Sequence, residues 1–149
     1  MNSVIEPVTS ENLDGVLPLI RMYQEFYKVK DVSETKNIEF FSQFGPENPN
    51  GCQFTYRLNE IVAGFATVYF SFSSTIPGKV AILNDLFTLP ELRGKGIGRQ
   101  LIEHCRSYAA ENGAVRLQWV TAPDNDTAQK LYNSMNTGKS TWRLYVYDT

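Results

Sequence analysis

The chain has 149 residues, 14 basic and 16 acidic side chains for a formal charge of −2, and a pI of about 5.4. That length suits one domain with a single sizeable core, and 42% hydrophobic with 13% aromatic residues exclude a disordered chain. The slightly acidic balance argues against a general nucleic-acid binder, and no stretch has the apolar length of a membrane span. Residues 1–9 lack the basic and apolar regions of a signal peptide. Cys52 and Cys105 fall on a predicted strand and a predicted helix and read as two buried thiols. His104 is the single histidine, so no zinc ligand set can be assembled. The expectation is a cytoplasmic chain with no metal and no nucleic-acid or membrane partner.

In chain order, residues 4–8 predict a short strand, with Pro7 placing it at an edge or an end. Thr9 or Ser10 is the expected cap of a first helix, with Glu11 in the first turn. Leu13, Val16, Leu17, Ile20, Tyr23 and Tyr27 run along one side of that helix. Pro18 has no N–H to give Asp14 and predicts a kink. A second helix over residues 34–44 should turn Ile38, Phe41 and Phe44 inward, and residues 45–51 are a loop. Glu25, Asp31 and Glu34 around these helices could form an anionic entrance, although a solvated surface explains them as well.

Residues 52–58 and 61–72 alternate well enough to pair as a hairpin across Asn59 and Glu60. Residues 71–78 lead into a central strand over residues 80–88. The helix after it shows Ile97, Leu101, Ile102, Cys105, Tyr108 and Ala109 on one side and ends at Asn112 and Gly113. His104 lies off that apolar line and reads as a surface residue. Residues 115–121 predict a strand, and Asp124 or Asn125 should cap a short helix with Ala128, Leu131, Tyr132 and Met135 inward. Residues 142–147 are expected to close the chain as a strand. No internal repeat or linker interrupts this order.

Between the central strand and the long helix stands Arg93-Gly94-Lys95-Gly96-Ile97-Gly98-Arg99. Glycines let successive backbone N–H groups turn toward one point, and a helix N-terminus adds partial positive charge there. With three cations alongside, the loop suits a polyanionic ligand. It is not a nucleotide P-loop, because no Lys-Ser/Thr follows Gly98. It also fails the dinucleotide fingerprint, because Arg99 stands where the third glycine should be. It does fit Arg/Gln-x-x-Gly-x-Gly/Ala through Arg93, Gly96 and Gly98. A solvated loop would carry the same composition.

That pattern resembles the coenzyme A pyrophosphate loop of the GNAT superfamily of N-acetyltransferases. A second signature follows in the right place, with Asn125, Ala128 and Tyr132 inside T-A-P-D-N-D-T-A-Q-K-L-Y. The order β-α-α-β-β-β-α-β-α-β also matches that family. The resemblance covers nearly the whole chain and is weakest after Met135, where Asn-Thr-Gly-Lys-Ser replaces the usual continuation. It implies a single domain over residues 1–149 of α/β class (α+β in some schemes), with a mixed central sheet of about six to seven strands flanked by helices. It further implies acetyl-CoA as cosubstrate and transfer of the acetyl group to a primary amine by direct attack in a ternary complex. The stretch around Asn84 and Asp85 is similar to the diamine, polyamine and amino-acid acetyltransferases, although only one of the two residues is acidic. A small amine is therefore the expected acceptor, with a basic peptide ranked below it, and a homodimer is compatible with the pattern.

The resemblance also distributes roles. Leu86, Phe87 and Thr88 would pair with the pantetheine arm and offer an N–H to the developing oxyanion. Arg93, Gly94, Lys95, Gly96, Ile97, Gly98 and Arg99 would hold the phosphates. Asn125 and Ala128 would flank the arm, and Tyr132 would protonate the departing thiolate. Its ordinary pKa of ~10 keeps it protonated at neutral pH. An amine of pKa ~10 must lose a proton before attack, and Asp85 is the base of choice, directly or through a water. The same carboxylate could instead bind the ammonium or satisfy backbone groups. Asn84, Tyr23 and Tyr27 complete the expected acceptor site. Two other readings are a non-catalytic sensor of coenzyme A esters and a nucleotide-binding regulatory domain. A sensor has no need of a thiol acid at Tyr132.

Overall fold

A computed structural model describes residues 2–149. They fall into two compact units, one ending at Trp119 and the other spanning Val120–Thr149. The first unit holds β1 (Ser3–Pro7), α1 (Leu13–Phe26), α2 (Glu34–Phe41), β2 (Gly51–Leu58), β3 (Ile61–Ser73), β4 (Gly78–Thr88), α3 (Ile97–Glu111) and β5 (Leu117–Gln118). A short 3-10 turn, Pro90–Leu92, lies between β4 and α3. The second unit holds one helix, α4 (Asp126–Asn133).

The five strands lie in chain order, β1-β2-β3-β4-β5, with antiparallel pairs throughout except β4 with β5, which is parallel. Successive side chains on a strand face opposite sides, and the two sides are covered by different helices. On one side α1 buries Val16, Leu17 and Ile20 in a cluster with Phe65 and Phe87. On the other, Phe54 packs on Tyr108 of α3 at 5.0 Å between ring centroids. Ile97, Leu101, Ile102, Cys105 and Ala109 are the buried stripe of α3. Each fully buried Leu or Ile stabilises by roughly 1.5–3 kcal/mol, so these two stripes fix both helices on the sheet. Tyr108 is the member of the expected stripe that stays partly exposed.

Two register breaks shape the centre of the sheet. In the β2–β3 hairpin, Tyr56 pairs with Gly64 and Arg57 with Val62, so Ala63 is the extra residue. In the β3–β4 pair, Thr67 opposes Asp85 and Val68 opposes Leu83, so Asn84 is the extra residue. A bulge turns the following side chains to the other face. Leu83 therefore shares a face with Val68, and Asp85 and Phe87 share the α1 face with Thr67 and Phe65. The hairpin turn at residues 59 and 60 is made by Asn59 in the left-handed region (φ 57°), a conformation Asn tolerates better than most residues.

Several expectations are corrected. Asn12, not Thr9 or Ser10, occupies the N-cap of α1; its Oδ1 accepts from the Thr9 N–H at 2.7 Å, closing the entry turn. Pro18 sits inside α1, which continues through it, at an exposed position. Helix α2 ends at Phe41, earlier than expected, and Ile38 is exposed while Asn37 is buried in its place. Paired amide hydrogen bonds of 2.8 Å each between Asn37 and Gln24 of α1 make that burial tolerable. His104 is half-buried, not a surface residue, with its ring 4.7 Å from that of Phe54.

Among the described residues the sheet has five strands and not six or seven. β5 covers two residues of the seven expected, and residues 142–147 form no strand. Trp142, Leu144, Tyr145, Val146 and Tyr147 are all exposed. An alternating apolar segment becomes a strand only where a neighbour supplies the ladder, and among the described residues nothing pairs with this one. Cys52 and Cys105 are buried free thiols, as expected. Among the described residues no helix is long and apolar enough to cross a membrane.

Candidate active site

Asp85 is the centre of a polar cluster inside an otherwise apolar core. It is 7% exposed, and the bulge at Asn84 aims it toward α1. Asn84 Nδ2 donates to Asp85 Oδ1 at 3.0 Å. The Tyr23 hydroxyl from α1 lies 3.3 Å from the Asn84 carbonyl oxygen and within hydrogen-bonding reach of the Asp85 carboxylate. Thr67 stands directly across the β3–β4 ladder from Asp85 and on the same face, within reach of its carboxylate. Burial pushes the Asp85 pKa up, and the donors on Thr67, Tyr23 and Asn84 pull it back only in part. Burial followed by the Asp85 charge pushes the Tyr23 phenol well above its ordinary range, so this hydroxyl stays protonated. Tyr69 is displaced upward by the same two causes.

Tyr27 is exposed and packs its ring 4.9 Å from that of Tyr23. The structure thus brings Tyr23, Tyr27, Asn84 and Asp85 into one place. Glu25, Asp31 and Glu34 are exposed, and Glu25 lies 3.8 Å from Arg21 one helical turn back. They read as solvated helix surface. Three members of the cluster escape the sequence reading: Gln53, Thr67 and Tyr69. The available signal is a polar residue at an inward strand position, Gln53 and Thr67 being fully buried within runs that otherwise bury apolar side chains.

Beyond Asp85, β4 runs to the loop. The Leu89 N–H donates to the Ala63 carbonyl at 2.9 Å. Backbone groups alternate direction along a strand, so Leu86 and Thr88 turn theirs to the opposite edge. That edge is paired with β5 only at Ala81 and Ile82. Arg93 Nε donates to the Thr88 carbonyl at 3.0 Å, and its guanidinium carbon stands 5.5 Å from the Phe87 ring centre. Arg93 is therefore a strut between the loop and the strand end as well as a charge.

Gly94 and Gly96 both have positive φ, 79° and 84°. Gly96 is the N-cap of α3 and supplies no capping side chain, and the first turn of α3 holds no acidic residue. Nothing lies within 4 Å of a Cβ built on Gly94, so the two glycines are there for their backbone conformation. The first-turn N–H groups of α3 and the charges of Lys95 and Arg99 are what a polyanion would meet. The Ile97 side chain is 3% exposed and belongs to the core, so only its backbone can face a ligand. Gly98 is half-buried in the first turn of the helix, and Arg99 after it is exposed.

Asn125, Ala128 and Tyr132 lie in the second unit. Asn125 is the N-cap of α4, its Oδ1 accepting from the Ala128 N–H at 3.2 Å. Ala128 and Tyr132 are half-buried one turn apart on that helix, and Tyr132 O, its backbone carbonyl, accepts from Thr137 Oγ1 at 2.8 Å.

Comparison with known proteins follows the same lines. A model of the Acetyltransferase (GNAT) family matches residues 17–136, a span that runs through both units. The uncharacterized N-acetyltransferase YhfO of Bacillus subtilis is 33% identical over 86% of this chain and 85% of its own. A thialysine N-epsilon-acetyltransferase of Caenorhabditis elegans is 27% identical over 91% of this chain and 82% of its own. The crystal structure of a probable acetyltransferase superposes with a TM-score of 0.79 at 30% identity, covering 100% of both chains. A buried carboxylate on a bulged strand, a glycine turn opening a helix and these matches agree, and the chain belongs to the GNAT family as an N-acetyltransferase.

Proposed function

We propose that this enzyme transfers the acetyl group of acetyl-CoA to the primary amine of a small molecule, with Asp85 receiving the amine's proton. The observation that carries the reading is the Asp85 cluster. A carboxylate whose pKa is raised by burial holds a transferred proton better than an ordinary one. It stands three residues before Thr88, whose strand end leads straight into the glycine loop. The loop's N–H groups, Lys95 and Arg99 bind the pyrophosphate, with Arg93 bracing the loop against β4. Binding energy gained there positions the thioester far from the phosphates, and holding both substrates makes attack effectively intramolecular.

In the reaction the amine nitrogen forms a bond to the thioester carbon and the carbon–sulfur bond breaks. Leu86 or Thr88 donates a backbone N–H to the carbonyl oxygen, an interaction worth roughly 3 kcal/mol where such a donor is pre-aligned. Asp85 takes the nitrogen's proton, and Tyr132 gives its own to the leaving sulfur. Tyr132 is assigned on the pattern Asn125, Ala128, Tyr132. Tyr23 and Tyr27 present aromatic faces, and with Asp85 they favour a cationic acceptor. The name of the thialysine N-epsilon-acetyltransferase relative supports an amine on an amino-acid side chain as the acceptor to try first.

The test is thiol release from acetyl-CoA across diamines, amino acids including thialysine, aminoglycosides and basic peptides. Turnover with a small amine supports the reading. Coenzyme binding with no turnover across the panel would refute it.

A further inference from the structure

Gln53, Thr67 and Asp85 stand on three adjacent strands, β2, β3 and β4, in direct register: Gln53 opposite Thr67 and Thr67 opposite Asp85. Paired residues share a face, so the three side chains form one row across the sheet beneath α1. Gln53 and Thr67 are both 0% exposed. Gln53 Nε2 donates to Thr67 Oγ1 at 3.2 Å, while among the described residues Gln53 Oε1 has no hydrogen-bond partner. A buried amide with one end unpaired costs stability, whereas apolar side chains at both positions would avoid that penalty. The row is therefore poorly explained as packing.

We propose that Gln53 and Thr67 are positioning residues, which fix the Asp85 carboxylate and commit the Thr67 hydroxyl proton to it. The inference rests on the reading of Asp85 as base. A hydroxyl has one hydrogen, and Thr67 Oγ1 already accepts from Gln53. Its hydrogen is then left for Asp85, its ladder partner, and accepting from the amide polarises the O–H toward the carboxylate. The consequence is a limit on basicity. Burial drives the carboxyl upward, and a proton donated by Thr67 holds it down. Without it Asp85 would stay protonated, and so useless as a base, to higher pH. The other titratable groups facing the carboxylate are Tyr23 from α1, coupled to Tyr27, and Tyr69 from β3. All are phenols, and Tyr23 and Tyr69 are pushed upward, so the acid side of the profile belongs to Asp85.

The experiment compares pH profiles of kcat/KM for the wild type, Thr67→Val, Thr67→Ser, Gln53→Leu and Asp85→Asn. Val keeps the branched shape at position 67, and the double variant Gln53→Leu/Thr67→Val avoids stranding the amide if the single change folds poorly. Thr67→Val, or the double variant, should move the acid limb upward by about one pH unit, which is a tenfold loss on that limb, and recover at high pH. Gln53→Leu should move it less in the same direction, and Thr67→Ser should restore the wild-type limb. A merely structural defect would lower the rate at every pH and leave the limb in place. An unmoved limb in Thr67→Val that disappears in Asp85→Asn overturns the positioning role and leaves the base reading standing. The rise toward the amine's own pKa of ~10 belongs to the substrate and is expected in every variant, whereas a lower limb that survives at its wild-type position in Asp85→Asn overturns the base reading. In that case, titration of the Asp85 carboxyl by carbon NMR decides the row by itself, an unchanged titration in Thr67→Val overturning it.

Discussion

Asp85 is held where a carboxylate is expensive, and this makes its protonation a property of both rate and stability. Asp85→Asn should lower kcat by roughly 10²–10⁴ while leaving coenzyme affinity near normal, as loss of a general base does. The deficit should shrink as pH approaches the amine's own pKa of ~10, where free amine is abundant; a loss flat with pH would point to ammonium binding instead. The stability effect has a definite sign. Burial raises this pKa, so between the ordinary and the raised value the folded chain binds more protons than the unfolded one. The stabilisation from this group is complete below the ordinary value and is lost as pH rises through the raised one. Thermal melts from about pH 4 to about pH 8 should therefore show Asp85→Asn gaining on the wild type as pH increases. At the other proposed proton site, Tyr132→Phe keeps the ring and removes the hydroxyl. Turnover with acetyl-CoA should fall by roughly 10²–10⁴ in a folded protein, with partial recovery for an acyl donor whose thiol has a lower pKa. Full activity at saturating amine would return Tyr132 to a packing role.

At the scale of an element, the junction from β4 to α3 combines two devices. The bulge at Asn84 rotates the end of β4 so that Asp85 and Phe87 face α1, and the positive-φ glycines then redirect the chain into α3. Gly96→Asp should weaken acetyl-CoA binding at least tenfold, because it places a carboxylate where pyrophosphate is to sit. It also forces a side chain into φ 84°, which should cost about 1 kcal/mol of stability. Calorimetric titration on the folded variant, paired with its melting curve, separates the two effects, and unchanged affinity would remove the loop from the site.

For the first unit as a whole, both thiols are internal. Cys52 is 1% and Cys105 0% exposed, and burial pushes their pKa values up to about 11 and about 12. A buried protonated thiol is not a nucleophile, so an aromatic disulfide reagent should label neither at neutral pH in the folded protein. Both should react in denaturant, and labelling in native buffer should proceed no faster than the protein opens. Prompt labelling of one thiol under native conditions would contradict the packing of α3 on β2.

What the sequence determined by itself was whatever depends on local chemistry and period. The first helix, the hairpin, the central strand and α3 were legible from apolar spacing, and the glycine turn was legible because few residues reach positive φ. Asp85 was singled out because it follows Asn84 at the end of an apolar strand. Tertiary structure decided what depends on partners. Residues 142–147 alternate like a strand and form none, because a ladder needs a neighbour and sequence period cannot supply one. Asn37 displaced Ile38 from the interior because Gln24, on another helix, satisfies its amide. Most consequentially, the row from Gln53 through Thr67 to Asp85 spans three strands and exists only in their register. A shift of one residue at either bulge would turn its members to opposite faces of the sheet.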